Sequence, residues 1–221
     1  MSSRWPLPPQ ALVVSCQAAG GHPLRSTASI TALARCAQLG GADGLRIEGV
    51  ADIRDVVSHV DLCVIGLLKA ARPGLRPLIS PTLDDARAVV AAGAHIVALD
   101  LSYEAHPEPI DEFVARVRAS CRVPVLADVS TMDEATRAMA AGADAVATTL
   151  AGYTPHSGHD ADEPDFALLA SMVAAGMPAA LEGRIHDPDH ARRAFDMGAI
   201  AAIVGAAITD PAAITRRYDE A

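Results

Sequence analysis

Residues 134–148, EATRAMAAGADAVAT, contain the repeating unit that decides the fold. A helical pattern over 134–141 ends at Gly142, and the short apolar run after Ala143 is typical of a buried strand. A glycine after a helix can adopt a positive φ and so end it. The same Gly-Ala pair recurs at 41–42, 93–94, 142–143 and 198–199, spaced by 52, 49 and 56 residues. The spacing indicates a repeated helix–strand unit.

Further short apolar runs between these pairs bring the number of predicted strands to eight. Each run is continuously apolar, as in parallel strands buried on both faces. The strand centres lie near Val13, Leu45, Ile65, Val97, Leu126, Val146, Ala180 and Ile203. We therefore predict an α/β fold, a single (β/α)8 TIM barrel over residues 11–221 with an N-terminal extension over 1–10. A doubly wound open sheet is the alternative.

Helix starts are predicted where preferred N-cap residues precede helical patterns. Thr82 with Asp85 and Thr131 with Glu134 have the spacing of an N-cap and its N3 partner. An aspartate followed by proline, at 187–188 and at 210–211, predicts an N-cap with proline at the first helical position.

The composition excludes several classes of function. The formal net charge is -9 and the basic residues form no cluster, which argues against a nucleic-acid partner. No apolar run is long enough for a membrane span, and the polar, Pro-rich residues 1–10 lack the apolar core of a signal peptide. The four cysteines are dispersed, which favours reduced thiols in a cytoplasmic protein. The segment 156–162 matches no tight ligand spacing, so we predict a solvated loop and no metal site.

The chain contains a single lysine, Lys69, among 18 cationic residues. A lysine ammonium can lose its proton near neutral pH in suitable surroundings, whereas an arginine guanidinium cannot. The alternative is that one lysine survived by chance. The position of Lys69 just after the third predicted strand favours a functional role, because barrel active sites lie at the C-terminal ends of the strands.

Other polar residues follow the remaining strands and would converge on the same mouth of the barrel. They are Ser15, Gln17, Arg46, Asp100, Asp128, Ser130, Thr148, Thr149, Glu182 and Arg184. Strands 3 and 7 lie on opposite sides of an eight-stranded ring, so Lys69 and Glu182 would face each other across the mouth. An amine and a carboxyl on opposite sides of a carbon suit proton removal from one face and return to the other. A buried Lys–Glu salt bridge is the alternative interpretation.

Small residues follow the last two strands. Glu182-Gly183-Arg184 and Val204-Gly205-Ala206 would let backbone N–H groups approach an anion, and the loops after strands 7 and 8 are the usual phosphate site of this fold. We predict that Gly183, Arg184, Gly205 and Ala206 bind a phosphate group.

The sequence resembles the N-acetylmannosamine-6-phosphate 2-epimerase family from about residue 12 to the C-terminal helix. The resemblance is carried by short segments in a fixed order: VSCQA (14–18), GLR (44–46), IGLLK (65–69), SPT (80–82), ALD (98–100), LADVST (126–131), TTLAGYTP (148–155), EGRI (182–185) and VGAAIT (204–209).

The resemblance implies a barrel enzyme that interconverts N-acetylmannosamine 6-phosphate and N-acetylglucosamine 6-phosphate at C2, without an organic cofactor and as a homodimer. Lys69 would be the base at C2 and Glu182 the acid. The sugar or its acetamido group would be bound by Gln17, Arg46, Asp128, Thr149 and Tyr153. The ring must open first, because an aldehyde at C1 makes the C2 proton acidic.

Two alternatives stay open from the sequence. Lys69 would equally suit a Schiff-base lyase or aldolase, and a non-catalytic barrel that binds a sugar phosphate is a third possibility. The family usually has a basic residue where this chain has Asp210, which leaves open whether the substrate is phosphorylated.

Overall fold

A computed structural model describes residues 5–106, 110–158 and 162–219. Eight parallel strands close into a barrel in the order in which they follow one another along the chain, and the last strand pairs with the first. Helices connect successive strands, so the predicted (β/α)8 barrel is confirmed and the open sheet is wrong. All eight predicted strand centres lie within barrel strands.

The elements have the following bounds. The barrel strands are β1 (Ala11–Cys16), β2 (Gly44–Glu48), β3 (Cys63–Leu67), β6 (Ile96–Asp100), β7 (Val125–Asp128), β8 (Ala145–Ala147), β9 (Ala179–Glu182) and β10 (Ala201–Val204). A small hairpin consists of β4 (Lys69–Ala70) and β5 (Leu78–Ile79). The helices are α1 (Thr27–Leu39), α2 (Val50–Val57), α3 (Leu83–Ala91), α4 (Ile110–Cys121), α5 (Met132–Ala140), α6 (Phe166–Ala174), α7 (Pro188–Asp196), α8 (Ala206–Thr209) and α9 (Pro211–Asp219).

Alternate residues of each strand belong to two separate apolar cores. Residues such as Val13, Ile65 and Leu126 fill the inside of the barrel. Their neighbours, such as Val14 and Val64, pack against the surrounding helices. Both faces of each strand are therefore apolar, which explains the continuous apolar runs in the sequence.

The helix boundaries follow the predicted signals. Thr82 and Thr131 each form a capping box with the acidic residue three positions on. Asp187 caps α7, in which Pro188 is the first residue. Gly142 has a φ of 100° just after α5, a conformation that favours glycine, and the other three repeated glycines behave alike.

The two ends of the chain differ in their packing. Trp5 and Leu7, within the predicted N-terminal extension, pack against the inner barrel core. Helix α9 has no buried residue. Across the described residues, no helix has both the length and the apolar character to cross a membrane.

Candidate active site

The predicted polar residues project into the barrel because they share the alternation of the inner core. Arg46 pairs in register with Ile65, which fills the inside of the barrel, and residues paired in a parallel ladder point to the same side. Asp128 lies two residues beyond the inner-core residue Leu126, and Glu182 two beyond Ala180. The structure thus brings the ends of β2, β7 and β9 to one mouth.

Arg46 joins the two carboxylates at the floor of this mouth. Its guanidinium donates to both oxygens of Asp128, at 3.1 and 2.8 Å. Its Nη1 also lies 2.9 Å from Glu182 Oε2. Asp128 is completely buried and Arg46 is 1% exposed, whereas the side chain of Glu182 is 13% exposed. Of the two carboxylates, Glu182 is the one a ligand can reach.

Thr149, at the end of β8, completes this cluster. Its hydroxyl lies within hydrogen-bond distance of Asp128 and also 3.1 Å from Glu182 Oε2. The neighbouring Thr148 hydroxyl donates to the backbone oxygen of Glu182 at 2.9 Å. These contacts fix both the backbone and the carboxyl group of Glu182.

The surroundings of Glu182 favour its protonated form. Burial raises the pKa of Glu182 to about 7, and the nearby charge of Asp128 acts in the same direction. Arg46, Thr149 and Lys69 oppose this increase. Burial disfavours the charge on Arg46, but the two carboxylates outweigh it and raise the pKa of the guanidinium. The site therefore combines a permanent cation with a carboxyl group that titrates near neutral pH.

Lys69 approaches the mouth from the hairpin rather than from a barrel strand. The residue is exposed, and within the described part of the chain it forms no salt bridge. Partial desolvation nevertheless lowers the pKa of Lys69, against the attraction of Glu48. The charges of Lys69 and Glu182 influence each other's pKa. Glu182 pairs with Arg46, so the predicted alternative of a Lys–Glu salt bridge is wrong.

Two cavities open around Glu182. One, of ≈ 240 Å³, is lined by Gly183, Arg184 and Tyr153, and the other, of ≈ 300 Å³, by Gln17, His22 and Asp210. Both are also lined by Ser15, Glu182, Gly205 and Ala206. Lys69 lines neither cavity. The predicted phosphate-binding residues therefore lie together on one wall, with Glu182 at its edge.

Arg184 and Tyr153 form the outer rim of the smaller cavity. The guanidinium of Arg184 lies over the Tyr153 ring, 4.4 Å from its centroid, and donates to the backbone oxygen of Ala151 at 2.9 Å. Tyr153 is 54% exposed. Gln17, on the far side of Glu182, donates to the Ser15 hydroxyl at 2.9 Å.

The sequence did not single out Glu48, Arg76 or Arg25. Glu48 lies two residues after Arg46 on β2, so the strand alternation alone would have placed it at the mouth. Arg25 contacts Glu48 at 3.4 Å and Asp52 at 2.8 Å. Arg76 pairs with the buried Asp100 at the end of β6, and nothing in its local sequence indicates this.

Groups of three or more His, Cys, Asp or Glu residues that could hold a metal ion do not occur among the described residues. Of the loop over 156–162, residues 159–161 lie outside the described part. The four cysteines are free thiols.

The mouth of the closed barrel combines an amine, a carboxyl group of raised pKa and a wall of small residues. These features define a barrel enzyme suited to acid–base chemistry on a small anionic molecule. The sequence model of one family, "Putative N-acetylmannosamine-6-phosphate epimerase", matches residues 30–221. The chain belongs to this family.

Individual relatives agree with the family. A "Putative N-acetylmannosamine-6-phosphate 2-epimerase" of Cutibacterium acnes is 40% identical, over 95% of this chain and 93% of that protein. The protein of the same description from Caldanaerobacter subterraneus subsp. tengcongensis is 39% identical, over 94% of this chain and 89% of its own length. The solved N-acetylmannosamine-6-phosphate 2-epimerase of Clostridium perfringens superposes with a TM-score of 0.89 at 33% identity, over 97% of this chain and 94% of that one.

A more distant structure shares the fold alone. A thiamine phosphate pyrophosphorylase from Pyrococcus furiosus superposes with a TM-score of 0.61 at 18% identity. Membership in the epimerase family confirms the predicted resemblance, the predicted fold and the predicted enzyme class, a carbohydrate epimerase.

Proposed function

We propose that the protein interconverts N-acetylmannosamine 6-phosphate and N-acetylglucosamine 6-phosphate, with Lys69 and Glu182 as the two acid–base groups. One observation supports this most directly. A carboxyl group whose pKa is raised to about 7 lies at the end of β9, and an amine whose pKa is lowered lies on the hairpin that follows β3, on the opposite side of the ring. The names of the relatives supply the substrate class.

The proposed chemistry needs both groups neutral at the start. In the ring-opened sugar, the neutral amine of Lys69 takes the C2 proton, and the electron pair moves into C1–C2 as the aldehyde oxygen gains negative charge. The carboxylic acid of Glu182 then gives its proton to C2 from the opposite face, and the aldehyde re-forms. A base works best with a pKa near the working pH, and the same holds for an acid, so the two opposite pKa shifts suit this step.

The substrate-binding residues have different proposed roles. Arg46 and Asp128 are almost fully buried, so we assign them to holding and tuning Glu182 rather than to direct contact with the sugar. Gln17, Thr149 and Tyr153 line the two cavities and are placed to contact substrate. The phosphate would lie against Gly183, Arg184, Gly205 and Ala206, the wall that has room for backbone contacts.

Isotope exchange tests the mechanism. With the wild-type enzyme in D2O, we expect deuterium at C2 of both epimers, as followed by NMR. Lys69→Ala and Glu182→Ala should each fold and lose turnover. Epimerisation without any deuterium uptake would contradict proton transfer at C2.

Borohydride added with substrate separates this proposal from a Schiff-base enzyme. A Schiff base on Lys69 would be reduced to a stable adduct that mass spectrometry detects at the one lysine. We expect no adduct. Tight binding of the sugar phosphate with no product would favour the non-catalytic alternative instead.

We also propose that the protein is a homodimer and cytoplasmic. Support for a dimer comes from an apolar groove of ≈ 410 Å³ that lies between α7 and the outer wall of β1 and β10. Helix α9, which follows β10 and α8, buries none of its own residues, and Tyr218 on it is 83% exposed. A second copy of this chain would cover the groove and the exposed Tyr218. The dispersed free thiols support a reducing compartment.

Sedimentation tests the dimer. Ile208 lines the groove and is 44% exposed, so Ile208→Glu should shift the wild-type dimer to a monomer. A wild-type monomer at micromolar concentration would contradict the proposal.

A further inference from the structure

Lys69 owes its position to the hairpin that carries it. In β4 and β5, Lys69 pairs with Ile79 and Ala70 with Leu78. At the base of the hairpin, the Ser80 N–H donates to the Leu68 oxygen at 2.7 Å and the Leu68 N–H to the Ser80 hydroxyl at 3.1 Å. The backbone of Lys69 can therefore move only if the returning strand β5 moves with it.

The returning strand is tied to the barrel through Arg76 and Asp100. Arg76 donates to both oxygens of Asp100, at 2.7 and 3.1 Å, and to the Ser102 hydroxyl at 2.9 Å. The Ile79 N–H lies 3.3 Å from Asp100 Oδ2. Asp100 thus holds the hairpin at two points, one of them directly opposite Lys69 in the β4–β5 ladder.

The buried position of Asp100 makes this attachment strong. Asp100 lies at the end of β6 on the inward-facing side of the strand, is completely buried, and also accepts from the Ser102 hydroxyl at 2.6 Å. The side chain of Arg76 is 16% exposed. A carboxylate buried to this degree is costly without a cation, so the hairpin is favoured in the one arrangement that brings Arg76 onto it.

We propose that Arg76 is a positioning residue for Lys69, acting through Asp100 and β5. This inference rests on the proposed role of Lys69 as the base at C2. Arg76 itself need not touch the substrate. Its contribution is to hold the hairpin at the mouth of the barrel, so that the Lys69 amine stays within reach of C2. Small displacements of a catalytic group are expensive, with about 1 Å costing on the order of 100-fold in rate.

Arg76→Gln should therefore lower kcat by about 10- to 100-fold and change KM by less than about threefold. Arg118→Gln is the matched control. Arg118 pairs with Asp144 at 2.8 Å, a comparable Arg–Asp pair before the N-terminal end of β8, far from the mouth along the barrel axis. The Arg118→Gln enzyme should have a lower free energy of unfolding and an unchanged kcat.

The single lysine gives a readout independent of turnover. Protein labelled with 13C at the lysine Cε gives one side-chain signal, that of Lys69, whose pH titration reports its pKa and surroundings. In Arg76→Gln we expect a shifted resonance and a changed titration midpoint, and in Arg118→Gln neither. If Arg76→Gln does not fold, Asp100→Asn replaces it, because it removes one of the two acceptor oxygens of Arg76 and leaves Lys69 the single lysine of the chain.

Two results would overturn the inference. The first is a Lys69 signal that is unchanged by Arg76→Gln, and the second is a large rise in KM with kcat intact, which would make Arg76 a substrate ligand. Failure of the proposed function would give a different result from failure of this inference. In that case the wild-type enzyme incorporates no deuterium at C2, while the Lys69 signal still responds to Arg76.

Discussion

Glu182 and Lys69 are held in contrasting ways. Glu182 ends a barrel strand, is 13% exposed on its side chain, and contacts Arg46 and Thr149. Lys69 lies on a two-residue strand outside the barrel, is exposed, and is attached, as far as the described residues show, through the backbone of its hairpin. The barrel thus tunes the proposed acid through fixed side-chain partners and the proposed base through the placement of a separate hairpin. The acid should be sensitive to substitutions that alter charge, and the base to those that alter position.

The largest expected effect comes from replacing Lys69 by arginine. Lys69→Arg keeps the positive charge and much of the reach, but a guanidinium cannot give up its proton near neutral pH. We expect turnover to fall by about 10²- to 10⁴-fold, together with deuterium exchange at C2. Since Lys69 is exposed and forms no salt bridge within the described residues, the Tm should stay unchanged.

The converse substitution on the same hairpin is the control. Among the described residues, the side chain of Arg72 forms one hydrogen bond, to the Ala105 oxygen at 3.3 Å, so Arg72→Lys should retain activity. A Lys69→Arg enzyme with more than about a tenth of wild-type turnover would show that Lys69 needs only its charge.

The second largest effect concerns the pH dependence of turnover, which the protonation of Glu182, the proposed acid, should set. In the direction in which Lys69 removes the proton, Glu182 must be protonated. Turnover should therefore fall as the pH rises through about 7, the pKa to which burial raises this carboxyl group. The Thr149 hydroxyl lowers that pKa. Thr149→Val removes this hydrogen bond at constant shape, so the alkaline limb should move upward by about one pH unit or less.

Thr136→Val serves as the control, because the Thr136 hydroxyl is exposed and, within the part of the chain that the structure describes, bonds to the Met132 oxygen of its own helix alone. Its pH profile should match that of the wild type. An alkaline limb that moves downward in Thr149→Val would mean that a group other than Glu182 sets it.

The same contrast explains how much could be predicted from the sequence. Glu182, Arg46 and Asp128 lie within regular barrel strands, so their meeting at one mouth is a consequence of the barrel topology once eight strands are recognised. The hairpin that carries Lys69 could not be predicted in this way. Its strands have two residues each, and the segment between them, with Pro73, Gly74 and Pro77, has the composition of a loop. The contact between Arg76 and Asp100 joins residues 24 apart and is created only when β6 is in place.

The wall formed by Gly183, Arg184, Gly205 and Ala206 carries the smallest expected effect, because Asp210, an acidic residue beside it, is partly solvated. Asp210 lines the cavity that also contains Gly205 and Ala206, and its side chain is 31% exposed. A hydrogen bond from the Ala213 N–H is the main cause that lowers the pKa of Asp210, so the group is ionised at neutral pH and repels a phosphate nearby. Asparagine caps a helix as well as aspartate does, so Asp210→Asn removes the charge and keeps α9.

Asp210→Asn should lower KM for the 6-phosphorylated sugar by about two- to fivefold, since repulsion between charges near the surface amounts to about 1 kcal/mol or less. Turnover of the sugar without phosphate should not change, because no second charge is then present to be repelled. Asp196→Asn, at the exposed end of α7, makes the same change in net charge away from the cavity and should leave both KM values unaltered. An equal fall in KM for both sugars would mean that Asp210 acts on the shape of the cavity. No fall for either would place the phosphate nearer to Arg184, in the cavity that Asp210 does not line.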